Sequence, residues 1–130
     1  MSQADSGLIA DYLAALTHAR RLSDHTLRSY AHELDMLAQL AGGRPLASLS
    51  AIDMRGAVAK AHAAGLSPRS IAHRLSAWRA FYRWLGDRVE LAANPVAAVR
   101  APKQPKRLPK ALSVDDANAL MEARSAQSAE

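Results

Sequence analysis

Between Ser67 and Leu85 the chain gathers Arg69, His73, Ser76, Ala80 and Arg83 on one side of a stretch with helical period, flanked by Ser70 and Arg79, and the stretch holds no acidic residue. Cations and hydrogen-bond donors gathered this way make a surface for a polyanion, because Lys and Arg placed on phosphates release condensed counterions. Earlier in the chain His25, Arg28, Ser29 and His32 share a helical face with Met36 and Gln39, with Asp35 beside them, a weakly basic face rich in donors. Other chemistry is less well supplied. There is no cysteine, which excludes disulfides and thiolate chemistry. His18, His25 and His32 recur every seventh residue, but at about 1.5 Å per residue neighbours lie roughly 10 Å apart along a helix, too far to share a metal ion. Tyr12, Tyr30 and Tyr82 all fall on apolar stripes and read as core residues rather than nucleophiles. No catalytic residue, metal or cofactor follows from these patterns.

The elements that must position the two faces are legible in order. Leu8, Ile9, Tyr12, Leu13 and Leu16 predict a first helix over about Gly7 to Ala19, and Arg20-Arg21-Leu22 a short connection. Ser23 caps a second helix whose buried stripe is Leu27, Tyr30, Ala31, Leu34, Leu37, Ala38 and Ala41, ended by Gly42-Gly43. Arg44 to Leu49 reads as an extended connector. Ser50 with Asp53 predicts a capping box for a third helix ending near Ala64-Gly65, with Ile52, Val58 and the alanines as a thin core face. Ser67 and Pro68 open the fourth helix, whose apolar stripe is Ile71, Leu75, Trp78, Phe81, Tyr82 and Leu85; Trp84 alone among its large apolar residues lies off the stripe. Asn94 is expected to cap a short helix over Pro95 to Val99. The expected fold is all-α, a small four- to five-helix orthogonal bundle over residues 1–100.

Charge sharpens the picture. Residues 1–66 hold six Lys/Arg and six Asp/Glu, whereas residues 67–110 hold ten basic residues against Asp87 and Glu90, and residues 111–130 hold Arg124 against four acids. The net charge of +5 is thus a property of one segment. Residues 101–111, with Pro102, Pro105 and Pro109 between Lys103, Lys106, Arg107 and Lys110, read as an extended basic linker. Ser113 with Asp116 forms a second capping box, and Val114, Ala117, Leu120 and Met121 begin an amphipathic helix over 112–130 that has nothing to pack on, as expected of the front part of a longer protein. No apolar run approaches the roughly 18 residues of a membrane helix, and Met1 to Gly7 lacks the basic start of a signal peptide. A cytoplasmic location with no membrane contact is expected.

Several separated strings occur in a telling order: Leu8-Ile9-x-x-Tyr12-Leu13; Ser23-x-x-Thr26-x-x-x-Tyr30-x-x-x-Leu34; the whole of Leu66 to Leu85; Asn94-Pro95; Ala101-Pro102-Lys103; and Lys106 to Ser113. Together they resemble the tyrosine recombinases, most closely the XerC type, over nearly the whole chain. The resemblance implies the N-terminal core-binding domain, a SAM-like bundle forming one jaw of a clamp on double-stranded DNA, with its second and fourth helices approaching the major groove. It also implies a parent enzyme that acts at a recombination site with a XerD-like partner to resolve chromosome dimers, through a 3′-phosphotyrosine and without cofactor. The family's catalytic arginines, lysine, histidines and tyrosine have no counterparts here, since residues 112–130 match only the first helix of the catalytic domain. The family string His-x-x-Arg does occur at His18–Arg21 and His25–Arg28, but in the wrong context and ahead of no candidate tyrosine.

The chain is therefore expected to bind DNA without cutting it, and to be monomeric without DNA. The DNA set comprises His25, Arg28, Ser29 and His32 on the second helix. Arg69, Ser70, His73, Arg74, Ser76 and Arg79 join it from the fourth, and Lys103, Lys106, Arg107 and Lys110 from the linker. Arg69 and His73 suit base edges, Arg74 packing or a phosphate, and the free N–H groups at the start of the fourth helix a phosphate. Removing Arg69 and Arg79 together is expected to weaken DNA binding with little change in melting temperature. The alternatives are the N-terminal domain of a phage or integron integrase, or a helical module that docks an acidic protein.

Overall fold

The computed structural model describes residues 3–103, which form four α-helices and no strand. These are α1 (Gln3–Arg20), α2 (Asp24–Ala41), α3 (Ala51–Ala63) and α4 (Pro68–Leu85), with one 3-10 turn at Leu46–Ser48. The all-α expectation holds.

Helix ends follow local chemistry. Ser23 accepts a hydrogen bond from the Thr26 N–H at 3.2 Å, and α2 stops where Gly42, at φ 57°, turns left-handed and donates to the Ala38 carbonyl at 3.2 Å. Ser50 and Asp53 close the capping box of α3 in both directions, and Ser67 with Pro68 opens α4. α1 starts four residues earlier than its apolar period suggests, at Gln3. It is followed by Arg21 at φ 50°, a left-handed position that a non-glycine residue occupies at some cost.

The capping box gives an acid-side prediction. A backbone hydrogen bond from Ser50, followed by the Arg44 side chain, holds the Asp53 carboxyl below its ordinary 3.8. A carboxyl with a lowered folded value stabilises the fold above its ordinary value, and that contribution fades as pH falls through the lower one. Asp53→Ala is thus expected to destabilise the protein at neutral pH and to flatten its stability curve below about pH 4. Urea denaturation at stepped pH measures both; parallel wild-type and variant curves would contradict it.

α4 is the pillar: it packs against α1, α2 and α3, and Ile71, Leu75, Trp78, Phe81, Tyr82 and Leu85 are all buried. Tyr12 meets Phe81 edge-on with ring centroids 5.3 Å apart. Trp84 finds its reason here, since it lies against Tyr12 at 5.3 Å and Phe81 at 6.0 Å while the Arg88 guanidinium covers its ring at 4.1 Å.

Three expectations change. Ile52 is 76% exposed, and the core position of α3 belongs to the fully buried Met54. The cap at Ser50 sets the register so that Met54, Ala57, Val58 and Ala61 recur at helical spacing toward the core, leaving Ile52 about 200° from Met54. Residues 95–98 form turns rather than a helix: Asn94 Oδ1 accepts from the Val96 N–H at 3.0 Å and its Nδ2 donates to the Arg79 carbonyl at 3.2 Å. That side chain folds the backbone locally, in the manner of an Asx turn. Val96 and Val99 are buried all the same.

The connector is likewise not extended. Leu46 is fully buried in the 3-10 turn, its N–H donating to Asp5 Oδ2 at 3.0 Å and its carbonyl accepting from the Tyr82 hydroxyl at 2.7 Å. One residue thereby ties the start of α1 to the end of α4. Burial, reinforced by the negative charges of Asp5 and Asp53, pushes the Tyr82 phenol well above its ordinary range, so it stays a donor. Tyr82→Phe removes that donor and is expected to lower stability by about 1–3 kcal/mol, readable as a lower urea midpoint with unchanged slope.

Candidate nucleic-acid interface

α2 and α4 lie side by side. His25, Arg28 and His32 of α2 are exposed and Ser29 is half-buried, and Arg69, Ser70, His73, Ser76 and Arg83 of α4 are exposed. The two sets meet where Ser29 Oγ lies 3.1 Å from His73 Nε2, and the His73 imidazole stacks on the Tyr30 ring at 6.4 Å and 20°. Two donor-rich faces, 44 positions apart where they touch, form one surface. Lys103 is exposed at the end of the described residues, while Lys106, Arg107, Lys110 and the helix expected within 112–130 lie outside them.

Two arginines expected on this surface are committed elsewhere. Arg74 Nε donates to Glu33 Oε1 at 2.6 Å, with both side chains at most 15% exposed. Trp78 Nε1 donates to the Glu33 carbonyl at 2.7 Å, so Arg74 belongs to the α2–α4 seam and its charge is matched there. Arg79 Nη2 donates to the Val99 carbonyl at 3.1 Å and more distantly to that of Val96, holding the chain after α4 against the helix. The paired removal of Arg69 and Arg79 is therefore no longer neutral for stability: losing Arg79 leaves partly buried carbonyls without their donor. At the start of α4 the Ser70 N–H is already taken by Ser67 Oγ at 3.1 Å, so that helix end offers one donor fewer to a phosphate.

Glu33 was missed as a partner, although its signal is present: it stands three residues after Tyr30 and four before Leu37, at the spacing of the buried stripe. Met36 also moves. It is half-buried and lines a groove of about 450 Å³ with Leu40, Ala57, Ala61, Leu66 and Trp78, instead of sharing the outer face. Among the described residues no three His, Cys, Asp or Glu are grouped to hold a metal ion, and no helix is long and apolar enough to cross a membrane.

A four-helix bundle built on a central aromatic helix, with basic and donor side chains of two adjacent helices on one surface, defines a small all-α binding domain. Residues 9–88 match the phage integrase N-terminal SAM-like domain, and the chain belongs to that family. It is 55% identical to tyrosine recombinase XerC 1 of Ralstonia nicotianae, over 88% of this chain and 36% of that protein. It is 45% identical to tyrosine recombinase XerC of Chromobacterium violaceum over 77% of this chain and 33% of that protein. With tyrosine recombinase XerC of Salmonella typhi it shares 41% identity, over 88% of this chain and 39% of that protein. The chain thus spans little more than a third of the length of these relatives. No solved structure matches it significantly.

Proposed function

We propose that this chain is the DNA-binding, core-binding domain of a XerC-like tyrosine recombinase and that the joined α2–α4 surface lies along the major groove of a recombination site. The observation that carries the reading is the junction itself. His25, Arg28 and His32 stand beside Arg69, Ser70, His73 and Ser76 on adjacent helices, while the acid nearest the seam, Glu33, is consumed by Arg74. Phosphate contacts by Arg28 and Arg69 would supply most of the affinity and donors near His73 the modest sequence preference.

In this reading residues 1–100 are the binding domain, 101–111 a basic linker adding Lys103, Lys106, Arg107 and Lys110, and 112–130 the start of a catalytic domain. In this reading these residues bind and do not cut; cleavage through a tyrosine belongs to the parent enzyme, acting with a XerD-like partner to resolve chromosome dimers. Arg74 and Arg79 support the surface from within.

Fluorescence anisotropy with a labelled duplex tests this across a salt series. Binding should weaken linearly in log–log form, with a slope of about −0.9 per phosphate contacted. Absence of binding to any duplex at low salt would remove the reading and favour an acidic protein as the partner.

A further inference from the structure

Among the described residues two hydrogen bonds between side chains join α2 to α4: Arg74 with Glu33 inside the seam, and Ser29 with His73 at its outer edge. The inner pair explains itself by burial. The outer one spans an exposed imidazole and a half-buried hydroxyl, where a hydrogen bond adds little to stability. We propose that Ser29 is a positioning residue that fixes the His73 ring so that its Nδ1 is presented to a base edge of bound duplex DNA. This rests on the α2–α4 surface being the DNA interface.

The chemistry runs through the two ring nitrogens. A neutral imidazole carries one donor and one acceptor, and whatever Nε2 does with the Ser29 hydroxyl decides what Nδ1 can offer. When the hydroxyl donates to Nε2, Nδ1 bears the proton and can donate to guanine O6 or N7. When Nε2–H donates to Oγ, Nδ1 accepts from an exocyclic amine. A hydroxyl serves either role by rotating, so Ser29 holds the ring in place without dictating one base. Tyr30 lies nearly parallel to the imidazole, with ring centroids 6.4 Å apart. The ordering of the His73 side chain is thus achieved before DNA arrives, which reduces the entropy lost on binding. Ser29, half-buried, uses its hydroxyl for this rather than for a contact of its own, while Arg28 and the exposed Arg69 remain for phosphates.

Anisotropy of the full chain on a labelled random-sequence duplex of about three helical turns is the test. It compares wild type with Ser29→Ala, Ser29→Thr, His73→Ala and the Ser29→Ala/His73→Ala double variant, each with its melting temperature. Ser29→Ala and His73→Ala are each expected to weaken binding roughly five- to tenfold with the salt slope unchanged, as for a base-edge contact. The double variant should bind no more weakly than His73→Ala alone. Ser29→Thr, which keeps the hydroxyl, should bind as wild type, and the melting temperatures should not move. Losses that multiply in the double variant would make Ser29 a DNA contact in its own right and overturn the proposal. A salt slope reduced by about 1 in His73→Ala would put His73 on a phosphate and overturn it too. If neither substitution affects binding while Arg28→Ala and Arg69→Ala do, the pair only joins two helices and the proposed role is overturned while the interface stands. If the wild type binds no duplex, the interface reading itself fails and this proposal falls with it.

Discussion

Arg74→Ala is expected to lower folding stability by about 3 kcal/mol, because it strands the Glu33 carboxylate in the α2–α4 seam. The carboxylate side chain is only 11% exposed and its Oε1 takes the Arg74 Nε at 2.6 Å, so the missing partner is not replaced by bulk water. For a domain near 100 residues that loss corresponds to a fall of roughly 10–20 °C in melting temperature. Thermal unfolding followed by circular dichroism measures it. The control is Glu33→Leu/Arg74→Met, which removes both charges and should recover most of the stability, since an apolar pair of similar volume replaces a buried ion pair at little cost. The Trp78 bond to the Glu33 carbonyl is to backbone and survives in the double variant. A drop for Arg74→Ala no larger than that of an ordinary surface ion pair, below about 1 kcal/mol, would show the pair to be solvated. Arg74 would then be available to DNA after all.

Arg28→Ala/Arg69→Ala should have the largest effect on duplex affinity, weakening it at least tenfold and reducing the salt slope by about 2, one for each phosphate that no longer meets an arginine. Both side chains lie on the outer surface and neither has a hydrogen-bond or ion-pair partner among the described residues, so the melting temperature should stay at the wild-type value. Arg79→Ala serves as the contrasting variant. Its guanidinium donates to the Val99 and Val96 carbonyls, so its removal should lower folding stability, by an amount on the order of 1 kcal/mol, and with it the melting temperature, while changing the salt slope little. Anisotropy titrations at three salt concentrations, paired with melting curves, separate the two patterns. An unchanged slope for Arg28→Ala/Arg69→Ala would move the phosphate contacts off this face.

Particular residues show how far the sequence could be followed. Ser23, Ser50, Asp53, Ser67 and Pro68 mark helix starts because capping is a contact between residues two or three apart, and all of them act as their spacing implies. The α4 stripe was equally legible, since six large side chains at helical spacing bury together whichever helices cover them. Ile52 and Met54 were harder: α3 has few large apolar residues, and the choice between two positions about 200° apart is made by the neighbours it meets. Leu46 was illegible, because its two bonds go to Asp5 and Tyr82, 41 and 36 positions away.

What the sequence by itself determined is local or additive: an all-α chain, its helix caps, the apolar stripe of α4, a net positive charge confined to one segment, and two separate donor-rich faces. Whether those faces would meet, and which arginines would remain free once they did, were decided only by the tertiary structure. Placing α2 against α4 brought Ser29 to His73 and turned Arg74 onto Glu33, and the turn at Asn94 brought the Val96 and Val99 carbonyls to Arg79. The physical reason is that an arginine's charge is fixed by its side chain, but its partner is chosen by contacts between segments distant in sequence, which no local spacing encodes.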